Sequence, residues 1–512
     1  MRLKRTENTK RNIIVGEIDK ITGILLPFAV RTMIIHLIGA DYLGLTGLFY
    51  SIIQMLNLAE LGFGTAIIYS MYKPIAENDT RAINGLLRYY ARVYRVVGVI
   101  IGAVGLVIML FLPRLISGSI PPGINIYLLY LIFLGDSVAN CFLYPNRKAL
   151  LTAYQRNDVI GRMHIITQTA MYLIQMVSIL QARNFYLYAL TVPVSTAAFS
   201  LLCARQTRIL FPEYREEGSL DPDTEKNIRK QVIGLMVRKT ASLSRNAFDS
   251  MFISAYLGLS ATAVYGNYYY VMDSVVMILA VVKTSMAGGV GNSIALESKE
   301  KNLADMHTID FLFMWISGWC AVCLLCLYQP FMELWAGGDM MLPMSCVLLF
   351  SVYFYVLKMS DIRTLYAESV GIWWEARYLS VAEAASNLLL NWLFIRALGL
   401  PGILLATLIS YLVFNFAGGS LILFRYYFTE GGLKDYMLSH LKYLLVTAAA
   451  AALTFAAGTL VPFHGLPELL IKGILCIFLP GAFYLLLYGR SRSFREAMPR
   501  LYILFHLKRK GS

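Results

Sequence analysis

The stretch IDFLFMWISGWCAVCLLCLY, residues 309–328, decides how the rest of the chain is read. It is almost wholly apolar and matches the roughly 20 residues that a helix needs to cross the hydrocarbon of a bilayer. Windows of the same kind recur on both sides of it. They lie at 21–38, 48–70, 96–112, 124–143, 163–182, 185–204, 241–257 and 264–286 before it, and at 344–362, 379–395, 401–424, 441–460 and 469–488 after it. Composition agrees, with 58% of the 512 residues hydrophobic and 15% charged, and a mean hydropathy of +0.60. A soluble chain carries about 25% charged residues, because it must cover a large surface with polar groups. A soluble globular protein is therefore excluded. The expected fold class is all-α, a polytopic membrane protein with about 14 transmembrane helices.

Charge sets the expected orientation. With the N-terminus inside, the cytoplasmic stretches collect 37 of the 45 Lys and Arg residues, and the outer loops hold only Arg114, Arg183, Arg396 and Lys472. Cationic loops stay in the cytoplasm, so both termini are expected there. The basic start MRLKRTENTKRN is followed by Glu17, Asp19 and Lys20 with no small-residue cleavage site, which reads as a retained first helix and not a signal peptide. The net charge of +14 then lines one membrane face, where anionic lipid headgroups attract it, and nucleic acid is not an expected partner.

The longest cytoplasmic stretch, about 205–240, has mixed charge and two prolines and divides six helices from the next six. Two six-helix sets in one orientation suggest parallel repeats, a transporter architecture. The expected organisation is an N-terminal six-helix lobe at 1–210, a linker at 211–240, a C-terminal six-helix lobe at 241–425, and two extra helices with a basic tail at 426–512.

Ionisable residues within spans are expensive and normally face a bundle interior or a wet cavity. Arg31 lies deep in the first helix and Glu60 near the middle of the second. Ser242, Arg245, Asn246 and Asp249 share one face of the seventh helix by their spacing, and Ser351, Tyr355, Lys358 and Asp361 nearly do so on the tenth. Asp136 with Asn140, and Glu383 with Asn387 and Asn391, form shorter stripes, and Asp273 sits mid-helix on the eighth. Together these stripes imply a shared hydrated chamber. A plainer reading stands beside it: Arg245 with Asp249, and Lys358 with Asp361, are structural pairs, and Arg31 bonds Glu60. Lys283, near the cytoplasmic end of its helix, is expected to snorkel to the interface.

No phosphate-binding GxxxxGK[ST] loop, HExxH, GxSxG or paired CxxC pattern occurs, so neither ATP hydrolysis, a cofactor nor a metal is expected, and the chain does not read as an enzyme. The seven cysteines are odd in number and nearly all lie in apolar runs; Cys320, Cys323 and Cys326 read as small helix-packing residues and not as cluster ligands. The cluster Gly288-Gly289-Val290-Gly291-Asn292 reads as a flexible cytoplasmic turn.

The first hundred residues resemble bacterial polysaccharide flippases, the lipid-linked oligosaccharide exporters of the multidrug/oligosaccharidyl-lipid/polysaccharide (MOP) superfamily. The likeness rests on Arg31 followed by Leu37-Ile38-Gly39, on Tyr42-Leu43-Gly44-Leu45 with Gly47-Leu48-Phe49, on Leu58-Ala59-Glu60-Leu61-Gly62-Phe63-Gly64 and on Tyr72-Lys73-Pro74. Asp249 with Ile253-Ser254, Leu257-Gly258-Leu259, Gly291-Asn292, Pro330-Phe331 with Leu334-Trp335, and Asn387-Leu388 with Gly399-Leu400-Pro401-Gly402 are similar to its second half. The resemblance covers about residues 1–430. It implies a cargo of undecaprenyl diphosphate carrying a short glycan, moved from the inner to the outer leaflet of the bacterial cytoplasmic membrane. It also implies two six-helix lobes around a central cavity, with the extra helices offering a groove for the lipid tail.

For such a cargo, Arg31 and Arg245 are the expected diphosphate ligands, because a guanidinium makes paired hydrogen bonds to phosphate oxygens, with Lys358 as a point-charge helper. Asn140, Asn246, Asn267 and Tyr355 are candidates for the sugars, and Glu60, Asp249 and Asp136 for a coupling proton or sodium ion. Membrane lipids, a polysaccharide polymerase and other export proteins are the expected partners. The competing readings are a cation-coupled multidrug exporter of the same superfamily, a membrane polysaccharide polymerase or glycosyltransferase, and a structural assembly scaffold.

Overall fold

The structure is a computed structural model that describes residues 5–57, 63–222, 224–226, 228, 247–372, 375–428, 432–491 and 494–498. Every regular element among them is a helix. Among the described residues ten helices are long and apolar enough to cross a membrane, or eleven when the bent pair Ile126–Phe142 and Pro145–Ala153 is counted as one span. The three other expected crossings are 21–38, inside the polar-ended helix Arg5–Leu37; 48–70, divided between Ala40–Leu56 and Phe63–Glu77; and 241–257, whose first residues lie outside the described set.

The chain forms two compact units, Met1–Ala263 and Val264–Ser512. Residues 247–257 are helical and belong to the first unit. In that unit, the helix Ala40–Leu56 buries Leu45, Leu48, Phe49 and Ile52. This is the one-sided spacing of an inward helical face. Phe49 meets Tyr130 edge-on at 5.4 Å between ring centroids. The opposite polarity of surface holds outside: Val96, Val99, Ile100 and Val107 on the helix Thr80–Met109 are all exposed, as lipid-facing positions are.

Helix ends follow local chemistry. The Asn125 side chain accepts from the amides of Tyr127 and Leu128 at 3.0 and 3.2 Å, starting the helix Ile126–Phe142. That helix stops where Tyr144 takes a left-handed conformation, φ 55°, just before Pro145. The next helix, Pro145–Ala153, sets off at 54° to it, because proline favours a helical first position and disfavours continuation from before it.

In the second unit, the helix Lys299–Ala336 has 38 residues, about 57 Å at 1.5 Å per residue, and carries the quoted stretch as its middle. A ring of hydrogen bonds satisfies buried polar groups near its far end. Tyr268 donates to Gln329 at 2.7 Å, Gln329 to the Leu342 carbonyl at 2.6 Å, and the Leu342 amide to the Tyr268 hydroxyl at 3.1 Å. Such closure is required wherever water is absent.

Two sequence expectations are corrected. Residues 288–292 are not a turn: the helix Leu259–Leu296 runs through all of them, and the break comes at Ser298, whose hydroxyl accepts from the Lys301 amide at 3.3 Å. A helical glycine costs only about 1 kcal/mol, which a helix of 38 residues absorbs. Arg363, expected in a cytoplasmic loop, lies buried in the helix Asp361–Val370, which continues the span that starts at Met344.

Close approach fixes one glycine absolutely. A Cβ on Gly44 would stand 1.9 Å from the Leu259 carbonyl oxygen, whereas one on Gly47 would be 3.9 Å from the Thr262 methyl group. Gly44→Ala is therefore expected to lose about 1–3 kcal/mol through overpacking and Gly47→Ala less than about 0.5 kcal/mol, read from thermal unfolding midpoints in detergent. Equal midpoints for the two variants would contradict this packing.

Candidate functional site

In the first unit, side chains from several helices assemble one polar cluster. Arg31, four residues after Pro27 on the helix Arg5–Leu37, is half-buried and within electrostatic reach of Tyr188 on the helix Phe185–Leu210. Tyr50 is coupled in the same way to Tyr188, Tyr172 and Asp136. Asp136 is hydrogen-bonded to Thr196, lies within reach of Lys148, and keeps its Oδ1 buried with no hydrogen-bond partner. Lys148 donates to Asn140 Oδ1 at 3.2 Å and sits 4.6 Å from the centre of the Phe199 ring. The cluster thus contains Arg31, Asp136 and Asn140 from the sequence analysis. It adds Lys148, which the apolar-window reading assigned to a cytoplasmic stretch. The bend at Tyr144 is what redirects the helix bearing Lys148, and sequence carries only the Tyr-Pro step as a sign of it.

In the second unit, Lys358 is buried and its Nζ lies 2.8 Å from Asp361 Oδ2. Lys283 Nζ lies 3.1 Å from the other oxygen, Oδ1. Two ammonium groups share one carboxylate, and Asp273 stands within electrostatic reach of Lys358. The structural pair of Lys358 with Asp361 is thus present, and the expectation for Lys283 is corrected: it does not snorkel away but turns onto Asp361. Its side chain is only 18% exposed.

A second chain of bonds runs beside this triad. Arg363 Nη2 donates to Asn415 Oδ1 at 2.8 Å, and Asn415 Nδ2 donates to Glu383 Oε2 at 3.1 Å. Asn387 donates to Thr407 at 3.1 Å and Asn391 to Asn387 at 3.4 Å. The stripe Glu383, Asn387 and Asn391 is buried and bonded to the following helical span. Farther along, His440 on the helix Leu433–Thr459 stands 3.1 Å from Asp310, off the hydrogen-bond direction and almost fully buried. Arg363, Asp310 and His440 were missed because their partners come from other helices.

Of the remaining candidates, Asp249 and Asn267 are fully buried. Tyr355 is buried with its hydroxyl against Thr447 of the C-terminal helix pair, and both residues line an apolar groove. Glu60, Arg245 and Asn246 lie outside the described residues. No three His, Cys, Asp or Glu side chains among the described residues converge as a metal site. Cys323 and Cys326 pack against Cys476 of the last helix, with Trp319 Nε1 donating to the Cys476 carbonyl at 2.6 Å. Two apolar grooves flank the helix Lys299–Ala336. One, of about 270 Å³, is lined by Leu325, Val352, Thr447, Ala451 and Phe455. The other, of about 370 Å³, is lined by Val271, Cys320, Leu327 and Leu469.

Removing the shared anion is the sharpest test of the triad. Asp361→Asn leaves two buried ammonium groups facing each other and is expected to lose about 3–5 kcal/mol. Asp361→Glu should restore most of it, both read from thermal unfolding. A neutral Asp361→Asn would mean the lysines are not held by this carboxylate.

No family model matches the chain, and no curated protein matches it in sequence. Its fold does match solved structures. An inward-facing multidrug resistance MATE family transporter of the MOP superfamily superposes with a TM-score of 0.66 at 14% identity, over 81% of this chain and 95% of that one. The lipid II flippase MurJ, in an inward closed conformation, gives a TM-score of 0.63 at 15% identity, over 93% of this chain and 98% of that one. A MOP superfamily transporter from Pyrococcus furiosus, described as having a binding pocket of reverse polarity, gives 0.55 at 14% identity, over 80% and 95%. The chain is a multi-pass helical membrane protein with the fold of the MOP-superfamily transporters and flippases.

Proposed function

We propose that the chain is a flippase that carries undecaprenyl diphosphate-linked oligosaccharide from the inner to the outer leaflet of the bacterial cytoplasmic membrane, by alternating access, for polysaccharide biosynthesis. The observation that carries this reading is the Lys283–Asp361–Lys358 triad, in which two ammonium groups are bonded to one carboxylate inside an apolar unit, with Asp273 also within electrostatic reach of Lys358. The two ammonium groups favour an anionic cargo over a cationic drug. The partly buried Arg31 supports the same sign of cargo from the first unit.

In this reading Arg31 and Arg245 grip the diphosphate by paired hydrogen bonds, since a guanidinium matches phosphate geometry and is weakly hydrated. Lys358 contributes a point charge. Asn140, Asn246 and Asn267 take the sugar hydroxyls, and the apolar grooves beside the C-terminal helices accept the polyprenyl tail. Alternating access is a rocking of the lobes 1–210 and 241–425, with both termini in the cytoplasm. Moving negative charge outward across an interior-negative membrane is downhill by about 2.3 kcal/mol per charge per 100 mV, so the potential supplies direction. Asp136, with its unpartnered buried oxygen, is the first candidate for ion coupling, ahead of Glu60 and Asp249.

The test is reconstitution in vesicles with defined polyprenyl-diphosphate sugars. Arg31→Ala is expected to slow outward movement by at least about tenfold, about 1.4 kcal/mol, without changing the unfolding midpoint by a comparable amount. Transport of cationic drugs with no glycan movement would overturn the proposal in favour of a drug exporter.

A further inference from the structure

The linker begins as an anchored strap. Residues 215–220 lie against the helix Thr80–Met109. The Arg215 amide donates to Asn84 Oδ1 at 2.8 Å, and Arg88 Nη1 donates to the Gly218 carbonyl at 2.9 Å. Tyr214 is hydrogen-bonded to the Tyr154 hydroxyl, and Phe211 packs on the Tyr154 ring at 4.4 Å between centroids. Between these anchors the strap places Glu216 against two guanidinium groups, Arg147 Nη2 at 3.9 Å and Arg95 Nη2 at 3.8 Å.

The fit is loose where it need not be. Charge-assisted hydrogen bonds close to about 2.7–2.9 Å, and both contacts of Glu216 stop well short of that. Arg147 is 9% exposed, donates by Nη1 to the Tyr214 carbonyl at 3.1 Å, and leaves its buried Nε without a hydrogen-bond partner. Arg208 adds a further positive charge within reach of Arg147. One carboxylate therefore faces a group of arginines with unused donors. Two carboxylate oxygens cannot satisfy them, but a phosphate group brings more acceptor oxygens and, as a monoester, more charge.

We propose that Arg95 and Arg147 form a phosphate-binding site of the first unit in which Glu216 is the resident anion. A phosphate group displaces it and releases the strap around residues 213–218 from the helix Thr80–Met109. The ligand class is a phosphate monoester or free phosphate, from a lipid headgroup or from solution. The site is separate from the Arg31 cluster and does not depend on what cargo the protein carries.

The full chain is prepared in maltoside detergent, which contains no phosphate, and amide exchange across 211–222 is followed on adding phosphatidic acid, inorganic phosphate or laurate. Exchange is expected to rise at least about fivefold with a phosphate ligand and not with laurate. A response to phosphatidic acid alone assigns a lipid source, and one to inorganic phosphate assigns a soluble one. Glu216→Gln should exchange fast without ligand and bind the effective ligand about fivefold more tightly. Arg95→Gln, at an exposed position that leaves the fold intact, should abolish the response. No response to either phosphate source, an equal response to laurate, or an unchanged response in Arg95→Gln would each overturn the proposal.

Discussion

Asp361 holds two ammonium groups at once, Lys358 at 2.8 Å and Lys283 at 3.1 Å, and buried charge in the second unit is bonded across helices. An ionised group deep in hydrocarbon is costly unless it is paired or wet. The triad satisfies that constraint by tying the helix Leu259–Leu296 to the span Met344–Val370. Arg363, Asn415 and Glu383 satisfy it again between the next helices, and Asp310 with His440 brings in the C-terminal pair. Polar groups thus select which apolar faces meet. The first unit uses the same device at one helix end, where the fully buried Asp158 is held by Arg156 and Arg162, and its amide donates to Asn12 of the first helix.

Much of this was legible in the sequence, and the limits have physical causes. Eleven of the fourteen apolar windows correspond to spans because hydropathy records the hydrocarbon thickness directly. The windows fall short at the ends. The one at 309–328 became a helix from Lys299 to Ala336, since helices continue into water or headgroups where hydropathy gives no signal. The pair Lys358–Asp361 was visible as a three-residue spacing on one helix. Its third member, Lys283, lies far away in sequence and was read by depth alone. Tyr355 shared the spacing of the tenth-helix stripe, yet the C-terminal pair packs over it. Periodicity gives a face but not what covers that face.

Identities of 14–15% across nearly whole chains show how little of this fold depends on particular residues. An apolar pattern of the right length can be written in many ways, and helix packing in lipid asks mainly for small residues at close approaches such as Gly44. Function is written in fewer positions, because folds host many activities and the site distinguishes them. Here the distinguishing feature is the sign of the buried charge. The triad in the second unit and the arginines under the linker strap set cations against carboxylates, and Arg31 places a further cation in the first unit.

The central claim is that buried cations receive a diphosphate, and it can be measured without following transport. Chain labelled with nitrogen-15 at lysine and arginine side chains would be placed in bilayers with a polyprenyl-diphosphate sugar, and phosphorus-to-nitrogen dipolar dephasing recorded by solid-state NMR. The Lys358 and Arg31 signals should lose intensity on addition of the lipid-linked sugar and keep it in bilayers of neutral glycolipid. Full intensity at both positions, in a preparation that still moves the sugar across the membrane, would contradict the account.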